Sequence, residues 1–158
     1  MSEFDERLYR DALGCFATGV TVVTARDPRG KPVAMTVNSF ASVSLDPPLV
    51  LWCVNRAIGL FAAFNAARHF AVHVLPGDQD SVASHFAIDR SDKFAGVDFE
   101  TRLENLPVLP NYSALFQCKV EHRYDGGDHV ILVGRVLEFD HRPADPLVYH
   151  AGKFRALA

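Results

Sequence analysis

The stretch ALFQCKVEHRYDGGDHVILVGRVLEF, residues 114–139, decides the fold class of this 158-residue chain. Two apolar and β-branched runs, 114–124 and 129–139, flank the joint DGGD at 125–128. Glycine and aspartate at such a joint favour the tight turns that connect neighbouring antiparallel strands. The stretch therefore predicts a β-hairpin made of two long antiparallel strands.

Shorter strands and helices are predicted on both sides of this hairpin. Apolar or alternating runs predict further strands at 20–25, 33–40, 49–54, 69–75 and 147–150. Apolar residues at helical spacing predict three peripheral helices, within 8–19, 58–67 and 80–87. Strands do not alternate regularly with helices, which argues against a parallel sheet, and small antiparallel sheets often remove their edges by closing. We therefore expect a mainly β, antiparallel, six-stranded barrel in a single domain, residues 1–158.

Composition excludes several classes of function. Sixteen basic and 19 acidic residues give a formal charge of −3, and no run of lysine or arginine suggests binding to nucleic acid or to an anionic membrane. No apolar run is long enough to cross a membrane, and the first residues are charged, so we expect a cytoplasmic protein. The three cysteines form no CxxC pair, so a disulfide framework is not expected, and we predict no metal site either.

The most unusual segment is MTVNSFASVSLDPP, residues 35–48. It places short hydroxyl and amide side chains within an otherwise apolar β region. Such groups, together with exposed backbone, can hold a polar ring or a phosphate by hydrogen bonds. The same residue types are also typical of a turn beside a solvent-facing strand. The residue pattern alone leaves both interpretations open and favours the second.

This segment and the run Leu49–Leu51 resemble the flavin-binding segment of the flavin reductase-like family, the small NAD(P)H:flavin oxidoreductases that serve two-component monooxygenases. Six further segments resemble family segments in the same order along the chain. They are 19–24, 53–56, 70–75 with Gln79, 86–87 with 93–96, 127–129, and 147–149 with 152–154. The resemblance covers the chain from about Leu8 to Phe154.

The resemblance implies a flavin-binding split barrel, usually a homodimer with the flavin near the subunit interface. It implies an NAD(P)H-dependent flavin reductase, which reduces FMN or FAD by hydride transfer to N5 and supplies diffusible reduced flavin to a partner monooxygenase. Two alternatives remain within the same fold. One is an oxidase or reductase that holds FMN tightly and acts on another substrate, and the other is a non-catalytic electron carrier.

The resemblance also assigns residues to the two ligands. The flavin would be bound by Thr36, Asn38, Ser39, Ser42, Val43, Cys53, Asn55, Lys93 and Phe94. The nicotinamide nucleotide, NADH or NADPH, would be bound by Gly127, Asp128, His129 and Phe154. No acid–base residue is expected, because hydride transfer to a flavin requires positioning and electrostatics while the cofactor supplies the chemistry.

One departure from the family pattern concerns the flavin phosphate. Many relatives carry serine or threonine after the Asn-Arg pair, whereas this chain has AIGL at 57–60. Backbone amides at the start of the following helix could replace the missing hydroxyls. Arg56 and Arg90 are further candidates for the phosphate charge. We therefore expect weak flavin binding, with the choice between FMN and FAD left open.

Overall fold

The computed structural model describes residues 4–90 and 92–157. Its helices are α1 (Glu6–Gly14), α2 (Phe61–Ala66) and α3 (Asp80–Ala87), with a 3₁₀ turn at Leu103–Asn105. Its strands are β1 (Thr18–Gly19), β2 (Thr21–Arg26), β3 (Pro32–Val37), β4 (Ala41–Leu45), β5 (Pro48–Asn55), β6 (His69–Val74), β7 (Glu100–Thr101), β8 (Pro107–Val108), β9 (Ala114–Gly126), β10 (His129–His141), β11 (Val148–His150) and β12 (Lys153–Arg155). The described helices include none that is long and apolar enough to cross a membrane.

Seven strands form one antiparallel sheet in the order β3-β2-β6-β9-β10-β5-β4. If the sheet were flat, its two edge strands would lie about 29 Å apart, since neighbouring strands are about 4.8 Å apart. Only residues 38–40 connect these edges, and the chain from Val37 to Ala41 can span at most about 14 Å. The sheet must therefore curl until its edges approach each other, which is the geometry of a split barrel.

The predicted mainly β, antiparallel fold and its closing hairpin are confirmed, while several boundaries differ. The main sheet has seven strands where six were expected, because β4 was not recognised within the polar segment 35–48. Most β4 residues are exposed, and Leu45 is 97% exposed, so burial did not mark this strand. Helix α1 ends at Gly14 and α2 begins only at Phe61, so both helices are shorter than their predicted ranges.

Strand β5 shows how the barrel separates its interior from its outer face. Val50, Trp52 and Val54 are buried, whereas Cys53 and Asn55, which alternate with them, are only partly buried. The Trp52 ring meets aromatic rings from α2 and β6 edge-on, with centroids 5.2 and 5.9 Å away. Complete burial of each large side chain contributes about 1.5–3 kcal/mol. The buried face therefore stabilises the barrel and leaves Cys53 and Asn55 on the outer face.

Helix α1 lies against the split side of the barrel and buries none of its own residues. Asp5 caps its start, since the carboxylate accepts hydrogen bonds from the backbone amides of Arg7 and Leu8 at 2.9 and 3.1 Å. At its other end, the Gly14 carbonyl accepts a hydrogen bond from the Ala151 amide at 2.9 Å, in the turn between β11 and β12. Helix α1 and the C-terminal hairpin are thereby joined.

Candidate functional site

A cleft of about 520 Å³ lies between α1, the residue that follows β3, and the turn of the C-terminal hairpin. Its lining includes Arg10, Gly14, Asn38, Tyr149 and Gly152. A second cleft of about 210 Å³ adjoins it, because the two share Asn38 and Tyr149. The smaller cleft also includes Val20, Thr36 and Phe154. The structure thus brings together Thr36 and Asn38, predicted for the flavin, with Phe154, predicted for the nicotinamide nucleotide.

Thr36 and Asn38 differ in whether their side chains already form a hydrogen bond within the protein. The Thr36 hydroxyl donates to the Ala83 carbonyl at 2.6 Å, which ties β3 to α3. Asn38 is exposed, and its side chain makes no hydrogen bond with a residue that the structure describes. An amide carries both donors and an acceptor, so Asn38 can bind the polar edge of a ring. Thr36 holds the wall of the cleft in place.

Ser39 and Cys53 connect the linker at 38–40 to β5. The Ser39 hydroxyl accepts a hydrogen bond from the Cys53 amide at 3.0 Å and donates to the Cys53 carbonyl at 3.4 Å. Burial raises the pKa of the Cys53 thiol, with an opposing effect from the Ser39 hydrogen bond, so the group stays a neutral thiol at neutral pH. Ser42 and Val43 lie elsewhere, on the exposed edge strand β4.

The β9–β10 turn brings His129 beside Asn55. These two residues are paired in the register of β10 with β5, and both are partly buried. The Asn55 side-chain oxygen accepts from the Ala57 amide at 2.8 Å, which leaves its NH₂ group for another partner. Gly127 has a φ of +67°, a backbone conformation that favours glycine in a tight turn. The turn therefore presents the predicted nicotinamide-binding residues beside Asn55.

Asp128 holds the His129 ring. The carboxylate lies 2.7 Å from His129 Nδ1, and that hydrogen bond is the main reason that the pKa of Asp128 is lowered. The charge of Arg10 on α1 contributes a smaller lowering. With its Nδ1–H directed at Asp128, the imidazole has its Nε2 left for a ligand. The pair fixes the orientation of the ring at the surface of the hairpin.

Lys93 and Phe94 point into the protein. Lys93 is only 5% exposed, and its ammonium donates to the carbonyls of Ala34 and Phe86, each at 3.0 Å. Burial lowers the pKa of Lys93, while the nearby Asp89 carboxylate raises it. Phe94 packs on Phe86, with ring centroids 5.5 Å apart. Lys93 would have to leave both carbonyls to reach a flavin phosphate, so in this structure it ties its loop to β3 and α3.

The other groups suggested for the phosphate are also partnered. The Arg56 guanidinium pairs with the Asp125 carboxylate, and Arg90 Nε lies 3.7 Å from Asp92 Oδ1. The Gly59 amide donates to the Asp89 carboxylate at 3.2 Å, in a turn before a helix of only six residues. A phosphate bound at these groups would have to replace an acidic partner.

Arg10 and Tyr149 are among the cleft residues that the sequence assignments left out. The Tyr149 ring packs against Phe154, with centroids 5.7 Å apart. Tyr149 lies within a segment of family resemblance, which could have drawn attention to it. Arg10 lies among the charged residues of an amphipathic helix, a pattern that is equally typical of a solvated face. Only the approach of α1 to Asn38 distinguishes it.

The fold is a split barrel, and two adjoining clefts lie between its N-terminal helix, the junction of its sheet edges and its C-terminal hairpin. The family model described as "Flavin reductase like domain" matches residues 13–158. The chain therefore belongs to the flavin reductase-like family.

Relatives with names that describe their activity support this assignment. The chain is 49% identical over 150 residues to "FMN reductase (NADH) SmoA" of Agrobacterium fabrum, covering 95% of this chain and 85% of the relative. It is 38% identical to the "Flavin-dependent monooxygenase, reductase subunit HsaB" of Rhodococcus jostii, covering 97% of this chain and 78% of that one. Other relatives are longer: the chain spans 49% of one from Rhizobium meliloti at 43% identity.

A solved structure shares the whole fold. The NADH:FAD oxidoreductase SgcE6 of Streptomyces globisporus C-1027, in complex with NAD and FAD fragments, superimposes with a TM-score of 0.91 at 38% identity. The match covers 99% of this chain and 98% of that one. The split-barrel prediction is thus confirmed by a neighbour of nearly the same length.

Proposed function

We propose that the chain is an NAD(P)H-dependent flavin reductase, built as a single flavin reductase-like domain. The observation that carries the proposal is the pair of adjoining clefts at Asn38, in a chain of the flavin reductase-like family. The clefts combine an apolar wall, from Val20 and Phe154, with an amide that has no described partner. An isoalloxazine ring has apolar faces and polar edges, so these residues fit it.

Each group in the proposed site has a separate task. Asn38 hydrogen-bonds the polar edge of the flavin, while the wall fixed by Thr36 excludes water from one face. Cys53, Ser39 and Asn55 lie towards the ribityl chain. When bound, the flavin supplies the hydride acceptor, its N5, for the hydride from nicotinamide C4.

The nicotinamide nucleotide is proposed to dock at the hairpin turn. His129, oriented by Asp128, contacts the nucleotide through Nε2, and Gly127 lets the backbone approach closely. Phe154 provides an apolar contact within the cleft. These residues transfer no proton themselves, and their contribution is to hold donor and acceptor close and correctly oriented.

We further propose that reduced FMN or FAD leaves the site and diffuses to a partner monooxygenase. The partnered state of Arg56, Arg90 and Lys93 supports weak flavin holding, because each would have to exchange a protein partner for phosphate. SmoA, matched along 95% of this chain, is named an NADH enzyme, so NADH is the proposed donor.

A homodimer is proposed from exposed apolar residues of α1 and of the segment that follows it. Leu8, Leu13 and Phe16 are 64%, 57% and 78% exposed. Several large apolar side chains exposed within one short segment are typical of a surface that another protein covers. A second copy of the chain would cover them, and Phe16→Glu should then shift the sedimentation coefficient from dimer to monomer. A cytoplasmic location is proposed as well, supported by free thiols at Cys15, Cys53 and Cys118.

One assay separates the proposal from its alternatives. The purified protein is inspected for flavin colour and then given NADH with and without added FMN or FAD. A reductase that uses flavin as a substrate consumes NADH only when flavin is added. A protein with tightly held FMN is coloured after dialysis, and an electron carrier takes up flavin without oxidising NADH.

A further inference from the structure

Arg10 is one of the residues that line the larger cleft. It lies on α1 between the Asp5 cap and Gly14, whose carbonyl is bound by the Ala151 amide. The helix is thus capped at its start and attached to the C-terminal hairpin at its end, and Arg10 lines the cleft together with Asn38. The side chain therefore faces the region where the proposed flavin and nicotinamide sites meet.

The guanidinium of Arg10 makes no ion pair or hydrogen bond with a residue in 4–90 or 92–157, in contrast to Arg56, Arg90 and Lys93. It is also the one lysine or arginine among the described residues that line the cleft. Asp11 lines the same cleft, and a carboxylate there repels phosphate. Arg10 thus supplies the positive charge that an anionic ligand in this cleft would need.

Arg10 is also within electrostatic range of the hairpin turn. Its charge contributes to the lowered pKa of the Asp128 carboxyl, after the larger effect of the His129 hydrogen bond. Asp128 in turn orients His129. A ligand that contacts His129 and extends towards α1 would pass by Arg10.

We propose that Arg10 binds the pyrophosphate of the nicotinamide dinucleotide and so positions the hydride donor. The inference rests on the proposed function and adds a residue to the nucleotide site. A guanidinium presents a planar fork of donors that fits two phosphate oxygens at once. The neutral Asn38 and the acidic Asp11 cannot replace that charge.

The test compares Arg10→Gln with Arg7→Gln, a matched control that removes one positive charge from the same helix outside the cleft lining. Flavin reduction is measured with NADH and with N-benzyl-dihydronicotinamide, a hydride donor without phosphate. For Arg10→Gln we expect kcat/KM for NADH to fall by roughly tenfold to a hundredfold, mainly through KM. The rate with the phosphate-free donor and the flavin Kd should stay as in the unmodified chain, and Arg10→Lys should recover part of the loss.

Each contrary outcome identifies a different error. Equal losses with both donors would mean that Arg10 supports the fold of the cleft, and a weakened flavin Kd would assign it to the flavin phosphate. Unchanged kinetics with NADH, or an equal loss in Arg7→Gln, would also overturn the inference. If the unmodified chain reduces flavin with neither donor, the proposed function itself fails.

Discussion

Around Trp52 the side chains of the barrel are fully buried against one another, whereas around Asn38 they face an open cleft. We call the first set the closed region. It comprises Trp52, Phe64, Phe70 and Cys118 of one buried cluster, with Gly134 against Phe70, and we add His73, which is buried on the opposite face of β6 from Phe70. The open region comprises Arg10, Asn38, Tyr149 and Phe154, which line the clefts, and we count with it the exposed Asp128–His129 pair of the β9–β10 turn. In the open region Asn38 and Arg10 keep polar groups without described partners.

This contrast separates the residues that hold the fold from those that can bind a ligand. A buried group is costly to disturb because its neighbours cannot move away or reach water. An exposed, unpartnered group contributes little to folding and is available for hydrogen bonds with another molecule. Substitutions in the closed region should therefore change stability, and substitutions in the open region should change binding and rate.

The largest effect is expected for Gly134→Ala in the closed region. A Cβ atom there would lie 2.4 Å from Phe70 Cζ and 2.9 Å from Cys118 Cβ. Overpacking of this kind costs about 3 kcal/mol or prevents folding, as urea unfolding would show. Gly19→Ala is the control, because a Cβ at Gly19 meets nothing within 4 Å. If the two variants had similar free energies of unfolding, the closed region would not be tightly packed at Gly134.

The second prediction concerns the pH dependence of stability. His73 is fully buried, and loss of hydration lowers its pKa to about 4 from an ordinary 6.5. Its Nδ1 lies 2.9 Å from the Val22 carbonyl, and its Nε2 accepts from the Leu109 amide at 3.0 Å. Below pH 6.5 the imidazole of His73 is protonated in the unfolded chain but stays neutral in the folded chain. The free energy of unfolding should therefore be highest above pH 6.5 and fall by about 3 kcal/mol as the pH drops to 4.

Urea unfolding at several pH values measures this dependence. His73→Gln should be less stable than the unmodified chain at pH 7, because its side chain cannot repeat both hydrogen bonds. The variant should nevertheless lose less stability on acidification, since the titrating group is gone. If both proteins lose the same stability between pH 7 and pH 4, His73 does not carry the effect.

The third prediction moves to the open region. His129→Ala should lower kcat/KM for NADH by tenfold to a few hundredfold, about 1.4–3.5 kcal/mol, because a positioning contact is lost. The unfolding midpoint should barely change, since the ring's hydrogen bond is to the exposed Asp128. Stopped-flow reduction over a range of NADH concentrations checks the rate. A lower melting temperature with an unchanged rate would instead make His129 a structural residue.

The smallest effect is expected for Asn38→Ala. Loss of a neutral hydrogen bond to the flavin edge should weaken flavin binding by about twofold to tenfold, as measured by fluorescence titration. Thr36→Val serves as the comparison, because its hydroxyl is bound to Ala83 and its loss should reduce stability more than affinity. The opposite pattern would assign the flavin contact to Thr36.

The features that the sequence predicted well are those with local causes. The β9–β10 hairpin follows from two alternating runs around a glycine-rich joint, and α3 was predicted with the bounds that the structure has. Strand β4 was missed because most of its residues are exposed and β5 is its one strand partner in the described part of the chain. His69 and His73 are four residues apart, which on a helix would place both on one face, where they could bind zinc together. Both lie on strand β6 instead, where four residues span about 13 Å, too far for one metal ion.

The site was less predictable because distant segments form it. The cleft joins Arg10, Asn38 and Tyr149, and no local pattern links these positions. Lys93 was predicted to face a phosphate, yet one carbonyl that holds its ammonium belongs to Ala34, 59 residues away. Family resemblance named Asn38 and Phe154, but only the packing of α1 and the C-terminal hairpin shows that they share a region.

The central claim is that hydride moves from NADH to a flavin held in the open region. The most direct measurement is anaerobic single-turnover reduction of FMN and of FAD, with NADH and with NADH deuterated at C4. We expect the flavin to be bleached at a rate that saturates with NADH and slows with deuterium. A folded protein that leaves both flavins oxidised would contradict it.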